Sequence, residues 1–236
     1  MNSPLTMNSL GEGYRALVIG ASGALGSAFC ELLNQDPRCA YVRELGRSSV
    51  PCLDLEHADS IAKAAAELTE EAPYHLIVHA AGLLHRDEIK PEKSYSAIEA
   101  GALQSVFQVN TFGPALVLRH FLPLLDAHGA MAMLSAKVGS IGDNRLGGWH
   151  TYRASKAALN MLIKTAAIEL ARTRPQIRLL SLHPGTVISG LSQPFRGASA
   201  ARPASIAAHE LLSLIDRLAP ADSGNFFAYS GERLPW

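Results

Sequence analysis

Of the six tyrosines in the chain, only Tyr152 has a lysine four residues on, in Tyr152-Arg-Ala-Ser-Lys156. On a helix that spacing stacks both side chains on one face. A phenol so placed can give a proton to, or take one from, an oxygen passing between carbonyl and alcohol. With an unperturbed pKa near ~10 a phenol is too weak a base for the oxidising direction, so its pKa must fall. A unit charge ~4 Å away in an effective dielectric of ~20 is worth ~4 kcal/mol, about three pKa units, so one lysine suffices. The pair alone is weak evidence, because a Tyr and a Lys four apart often arise by chance. The plain alternative is an exposed lysine beside a half-buried tyrosine.

Three features surround the pair. Ser135 ends an apolar, strand-like run, Asn110 lies inside a long helical pattern, and His183-Pro184-Gly185-Thr186-Val187-Ile188-Ser189 follows another apolar run. An asparagine buried in mid-helix is costly unless its amide is satisfied, so Asn110 either holds a relay water, the favoured reading, or makes a structural bond. A Pro-Gly turn at a strand end presents main-chain groups from Pro184, Gly185 and Val187, with Ser189 as a further hydrogen-bonding group, of the kind that hold a carboxamide.

Far upstream, Gly20-Ala-Ser22-Gly23-Ala-Leu25-Gly26 follows the first apolar run and opens a helical pattern. Such a turn sets backbone N–H groups and the positive end of a helix against a pyrophosphate, and small residues permit the close approach. With a strand before it and a helix after it, the turn points to a dinucleotide. After the next strand comes Leu45-Gly46-Arg47-Ser48. An acidic residue there would bond a ribose 2′-OH; Gly46 and Arg47 instead offer space and a guanidinium for a 2′-phosphate, which favours NADP(H) over NAD(H). The alternative for Arg47 is a solvated loop charge. Asp54 either accepts from the adenine amino group or caps the helix beginning near Ala58. Ala80-Ala81-Gly82 closes a later strand with small residues where backbone passes a ribose, although helix-to-strand packing explains the alanines equally well.

These groups need a scaffold that brings strand ends together. Apolar runs suited to strands lie at Arg15 to Gly20, Ala40 to Leu45, Tyr74 to His79, Ala130 to Ser135, Ile177 to His183 and Asn225 to Tyr229, with a short one near Pro51 to Leu53. Helical patterns fill the intervals: Leu25 to Asn34, Ala58 to Glu71, a long one from about Leu103 to Asp126, Tyr152 to Arg172, and Ser205 to Leu218. The alternation predicts a single-domain α/β fold, a Rossmann-like doubly wound parallel sheet whose strand C-termini share one ligand-binding edge. Residues 1–13 read as a flexible N-terminal arm ahead of a domain over 14–236, and about 189–204 as a mobile substrate loop.

Bulk properties narrow the partners. Twenty-one basic residues balance 21 acidic ones, so no global field draws the chain to nucleic acid. No stretch reaches the roughly 18 apolar residues of a membrane span, and nothing at the start reads as an export signal. The three cysteines form no C-x-x-C pair, which argues against a disulfide framework and against a metal site and fits a reducing, cytoplasmic setting.

In order along the chain, the Gly20/Gly23/Gly26 turn, Asp54, Asn110, the Ser135 strand end, Tyr152-x-x-x-Lys156 and Pro184-Gly185 resemble the short-chain dehydrogenase/reductase family. Val138-Gly-Ser-Ile-Gly-Asp-Asn144, Gly147-Gly-Trp149, the string from Tyr152 to Asn160 and His183-Pro-Gly-Thr-Val187 look like its C-factor and sniffer-like carbonyl reductase branch. The resemblance implies a Rossmann-like fold, NADP(H), hydride transfer between a small carbonyl or alcohol substrate and the cofactor, and a homodimer or homotetramer. It implies Tyr152 as general acid/base, Lys156 as the group that lowers its pKa and binds the nicotinamide ribose, and Asn110 as holder of a relay water. Three positions depart from the family's pattern: Ala24 stands where the middle glycine falls, His79 where an asparagine stabilises the central strand, and Ala136 where the catalytic serine sits. Ser135 is kept as a candidate for the missing hydroxyl, with Ser140 as its rival. Residues 142–150 form a long connection in which Asp143, Asn144, Arg145, Trp149 and His150 either line a substrate mouth or mediate subunit contacts. The competing reading, prompted by Ala136 and His79, is a dinucleotide-binding regulatory or signalling protein with weakened catalysis. An extended-type sugar-nucleotide epimerase is disfavoured, since about 50 residues after Pro184 are too few for a substrate domain.

Overall fold

Alternation along the first strand sets the architecture: in β1 (Tyr14–Ile19), Ala16 and Val18 face one core while Leu17 and Ile19 face another. A strand buried on both faces has no polar side to show, hence the continuous apolar run. The computed structural model describes residues 5–192 and 201–236. The remaining strands are β2 (Cys39–Leu45), β3 (Tyr74–His79), β4 (Leu125–Leu134), β5 (Arg178–His183) and β6 (Phe226–Ala228). They form one six-stranded, all-parallel sheet in the order β2-β1-β3-β4-β5-β6. The chain reverses direction of winding between β1 and β3, so the crevice for a ligand opens there at the strand C-termini.

Helices α1 (Ala24–Gln35) and α6 (Ala204–Arg217) cover one face through Phe29, Leu33, Leu211 and Ile215. On the other lie α2 (Ala58–Glu67), α4 (Gly113–Phe121) and α5 (His150–Thr173), through Ile61, Val117, Phe121, Leu159 and Ile163. The short α3 (Ala100–Phe107) precedes α4. Among the described residues no helix is long and apolar enough to cross a membrane.

Three expectations are corrected. Pro51 to Leu53 is no strand but part of the loop between β2 and α2. The long helical pattern from Leu103 to Asp126 is interrupted: a π-turn at Gln108–Phe112 separates α3 from α4, a 3-10 turn with Pro123 follows, and β4 already begins at Leu125, where pairing with Tyr74 takes over. Residues 5–13 are not a loose arm. Leu5, Met7 and Leu10 are buried in the core shared with α1 and α6, and the Met7 N–H donates to Asp36 Oδ2 at 2.8 Å. Residues 1–4 of that arm, and 193–200 of the expected substrate loop, lie outside the described residues.

Candidate active site

The glycine turn works by contact distance. Gly20 has φ +85°, and a Cβ there would lie 2.8 Å from the Ala81 N; a Cβ on Gly26 would lie 2.0 Å from the Gly20 carbonyl oxygen. These two glycines let β1, β3 and the first turn of α1 touch. Gly23 differs: as the N-cap of α1 it has ordinary backbone angles, and a Cβ would meet its nearest neighbour at 3.4 Å. Ala24, the departure from the family's glycine pattern, is simply the first residue of α1. No side chain caps this helix, so its first N–H groups remain available to an anion.

From this turn a cavity of about 620 Å³ runs along the strand ends to Tyr152. Its floor and walls include Gly20, Ser22, Gly23, Leu25, Ala80, Ala81 and Gly82 at the β1 and β3 ends, Arg47 and Asp54 at the rim, and Ser135, Tyr152, Lys156, Pro184, Gly185, Val187 and Ser189 at the far end. Two expected residues stand behind the wall. Gly26 supports the turn by packing, and Asn110 is fully buried. The size suits a bound nucleotide and substrate, and the tight glycine cradle, open helix N-terminus and exposed Arg47 fit a dinucleotide's phosphates. Asp54 does not cap α2, whose N-cap is His57; its Oδ1 accepts the Glu56 N–H at 3.0 Å while the residue faces the cavity. Among the described residues no cluster of His, Cys, Asp or Glu could hold a metal.

At the reacting end, Tyr152 and Lys156 lie in the first turns of α5, 8% and 3% exposed, and both face the cavity. The Lys156 ammonium is 5.9 Å from the Tyr152 ring centroid and donates to the Leu134 carbonyl at 3.0 Å. The four-residue spacing predicts that this charge lowers the tyrosine's pKa. Burial instead pushes Tyr152 up, and burial pushes Lys156 down to about 8.

Asn110 occupies the π-turn, a local widening that swings its side chain onto the β3 exit. Its Oδ1 accepts the Leu83 N–H at 2.7 Å, and its Nδ2 donates to the Leu83 carbonyl at 2.7 Å and to Ser155 Oγ at 3.1 Å. The amide is thus engaged in structural bonds, the alternative named for its side chain. The two candidate serines separate cleanly. Ser135 lines the cavity and its hydroxyl, buried, has no partner among the described residues. Ser140 is away from the cavity wall and its Oγ accepts the Asp143 N–H at 3.1 Å. His79, in the family's asparagine position, is fully buried with neither ring nitrogen bonded among the described residues, and burial together with the charge of Lys156 drops its pKa to about 3, so it is neutral.

Of the five loop residues proposed for the substrate mouth, Trp149 alone lines the cavity; its ring meets that of Tyr152 edge-on with centroids 6.2 Å apart. Sequence reasoning missed Leu84, which completes the apolar wall with Val138 of the quoted motif and Leu191 of the expected substrate loop, and the Arg86–Glu56 ion pair at 2.8 Å beside Asp54. Nothing in their spacing marks them, since separate loops bring them together.

A family model described as enoyl-(acyl carrier protein) reductase matches residues 29–229. A Rhodococcus 1-hydroxy-2-glutathionyl-2-methyl-3-butene dehydrogenase is 31% identical over 187 residues, 79% of either chain. The C-signal of Myxococcus xanthus is 35% identical over 142 residues, 59% of this chain and 81% of that one. Among solved structures, the carbonyl reductase Sniffer of D. melanogaster superposes with a TM-score of 0.81 at 23% identity, covering 95% of this chain and 100% of that one. The NADPH-bound carbonyl reductase from chicken fatty liver gives 0.82 at 22% identity, with the same coverage. At such identities these structures speak for the fold.

Proposed function

The chain belongs to the short-chain dehydrogenase/reductase family of oxidoreductases, and on that premise we propose that it is an NADP(H)-dependent enzyme interconverting a small carbonyl compound and its alcohol. One observation carries the reading: a buried tyrosine and a buried lysine on one helix face open into the same cavity as an uncapped glycine turn. When bound, the cofactor supplies the hydride. Arg47 at the rim is the group that would meet a 2′-phosphate, and several solved relatives of the fold carry NADP or NADPH.

The protein's own part is proton transfer and positioning. Because burial holds Tyr152 above its ordinary pKa, the phenol is protonated at neutral pH and serves as the acid of the reducing direction. Its O–H bond breaks as the substrate oxygen takes the proton, and the resulting phenolate recovers one from solvent. Lys156, anchored on Leu134, is a positive charge one helical turn from that phenolate. Ser135 offers the hydroxyl that Ala136 lacks. Trp149, Leu84, Val138 and Leu191 give the substrate an apolar wall, the last from the described start of the expected substrate loop. The reading extends to a cytoplasmic homodimer or homotetramer: all three cysteines are free, and Phe112, Met161 and Ile168 expose apolar surface on the outer helices.

The test is NADPH oxidation against a panel of aldehydes, ketones and quinones, with Tyr152→Phe as control. Removing a general acid is expected to cost about 10²–10⁴-fold in kcat. Turnover surviving in Tyr152→Phe overturns the mechanism. A second reading, a dinucleotide-binding signalling protein, draws on Ala136 and on the likeness to C-signal; NADPH binding without turnover on any panel member would favour it.

A further inference from the structure

Residues 85–99 form an exposed or half-exposed stretch between β3 and α3, and within it Glu92 alone is buried, at 6% exposure. Its carboxylate reaches the N-terminus of α5, 59 residues along the chain. There Oε2 accepts the Thr151 N–H at 3.2 Å and Oε1 accepts the Thr151 hydroxyl. The Glu92 main-chain carbonyl accepts the Trp149 N–H at 2.6 Å. Thus one residue holds the two positions flanking His150, and the next residue is Tyr152.

The held segment needs holding. Gly147, Gly148 and Trp149 are three successive left-handed residues, with φ of +61°, +65° and +54°. For the two glycines this costs little, but for tryptophan it is strained by about 1–3 kcal/mol and persists only where neighbours enforce it. Trp149 is the N-cap of α5 and supplies no capping side chain. A carboxylate from elsewhere therefore satisfies an end that the helix's own sequence leaves open, and it stands at the positive end of the helix dipole. Arg153 also braces the turn, donating to the carbonyls of Gly148 at 2.8 Å and Gly147 at 3.1 Å.

We infer that Glu92 is a positioning residue for the proton-transfer step: an N-cap delivered from another loop, which fixes the first turn of α5 and with it the Tyr152 phenol and the Trp149 ring against it. The inference rests on the reading of Tyr152 as the acid. Loss of Glu92 frees the left-handed turn, so the phenol is misplaced while the glycine turn at the cofactor end is untouched. Small misplacements of a reacting group cost rate out of proportion to their size.

The experiment compares Glu92→Ala and Glu92→Gln in a Trp236→Phe background, where Trp149 is the one tryptophan of the chain. Glu92→Ala is expected to lower kcat about tenfold or more while KM for NADPH stays within about twofold, and to shift Trp149 emission and raise its quenching by acrylamide. Glu92→Gln, which keeps an acceptor for Thr151, should recover part of both. A folded Glu92→Ala with unchanged kcat and unchanged Trp149 emission overturns the inference. Should Glu92→Ala not fold, Thr151→Val removes one carboxylate contact at nearly constant volume, and unchanged rate and emission there overturn it equally. If the protein reduces no carbonyl at all, emission and quenching still decide the clamp, so its failure is distinguishable from that of the enzyme reading.

Discussion

Lys156 and Tyr152 lie one helical turn apart, the lysine's ammonium donating to the Leu134 carbonyl at 3.0 Å and standing 5.9 Å from the centroid of the phenol ring. Burial governs both groups: the phenol is raised and the ammonium lowered to about 8. On the proposed reading, a raised phenol beside an ammonium of lowered pKa suits the reducing direction.

A pH dependence follows from Lys156. Below about 8 the ammonium is charged, and above it the site loses its positive charge, far short of the ordinary 10.5. Reduction is expected to hold up to pH 8 and to fall beyond it. A kcat/KM profile flat to pH 10 would remove Lys156's charge from the mechanism.

The same shift has a stability consequence of opposite sign to function. Between about 8 and 10.5 the unfolded chain keeps a proton that the folded chain has released, so this group's burden on folding is full below 8 and lifts as pH rises. Lys156→Met is expected to abolish turnover while raising the melting temperature at pH 7 and to have less effect at pH 10. A melting temperature lowered at pH 7 would mean that the Leu134 bond outweighs desolvation.

The glycine turn offers a steric contrast. Gly26→Ala places a methyl 2.0 Å from the Gly20 oxygen, whereas Gly23→Ala meets nothing nearer than 3.4 Å. Gly26→Ala should be destabilised by more than about 2 kcal/mol, in the range of overpacked sites, and Gly23→Ala should melt close to the parent. Denaturant unfolding of the two variants checks this.

Arg47 sits exposed at the cavity rim, where a 2′-phosphate would be the charge it meets. Arg47→Ser is expected to weaken NADPH binding about tenfold, with NADH little changed, and to flatten the salt dependence of NADPH affinity. Equal losses for both cofactors would assign Arg47 to loop structure instead.

What the residues disclosed in advance is what local chemistry decides. Continuous apolar runs gave away the two-faced sheet, Gly20 and Gly26 the close approach, and the four-residue spacing the shared face of Tyr152 and Lys156. What stayed hidden depends on distant partners or on side-chain direction. Met7 reads as part of a polar tail until Asp36 is seen beneath it. The π-turn around Asn110 leaves the helical period of its neighbours almost unchanged, so a break was invisible. The rise in the Tyr152 pKa comes from its burial, which the fold sets and spacing alone does not show. Glu92 carries no motif at all, and its meaning lies in Thr151.

Ser135 and Ser140 show how structure turns an open choice into opposite predictions. The Ser135 hydroxyl is buried beside the cavity without a partner among the described residues, so the fold gains no bond from it and bears its desolvation. Ser135→Ala should leave stability unchanged or slightly improved while lowering turnover, if this hydroxyl steadies the substrate oxygen in place of Ala136. The Ser140 hydroxyl accepts the Asp143 N–H, and its loss strands a donor, so Ser140→Ala should cost about 1 kcal/mol of stability with kcat nearly unaltered. Melting curves and steady-state rates on the two variants form a crossed pair. If Ser135→Ala keeps its full rate, tyrosine alone handles the substrate oxygen, and the unpaired hydroxyl is a cost the fold carries without catalytic return.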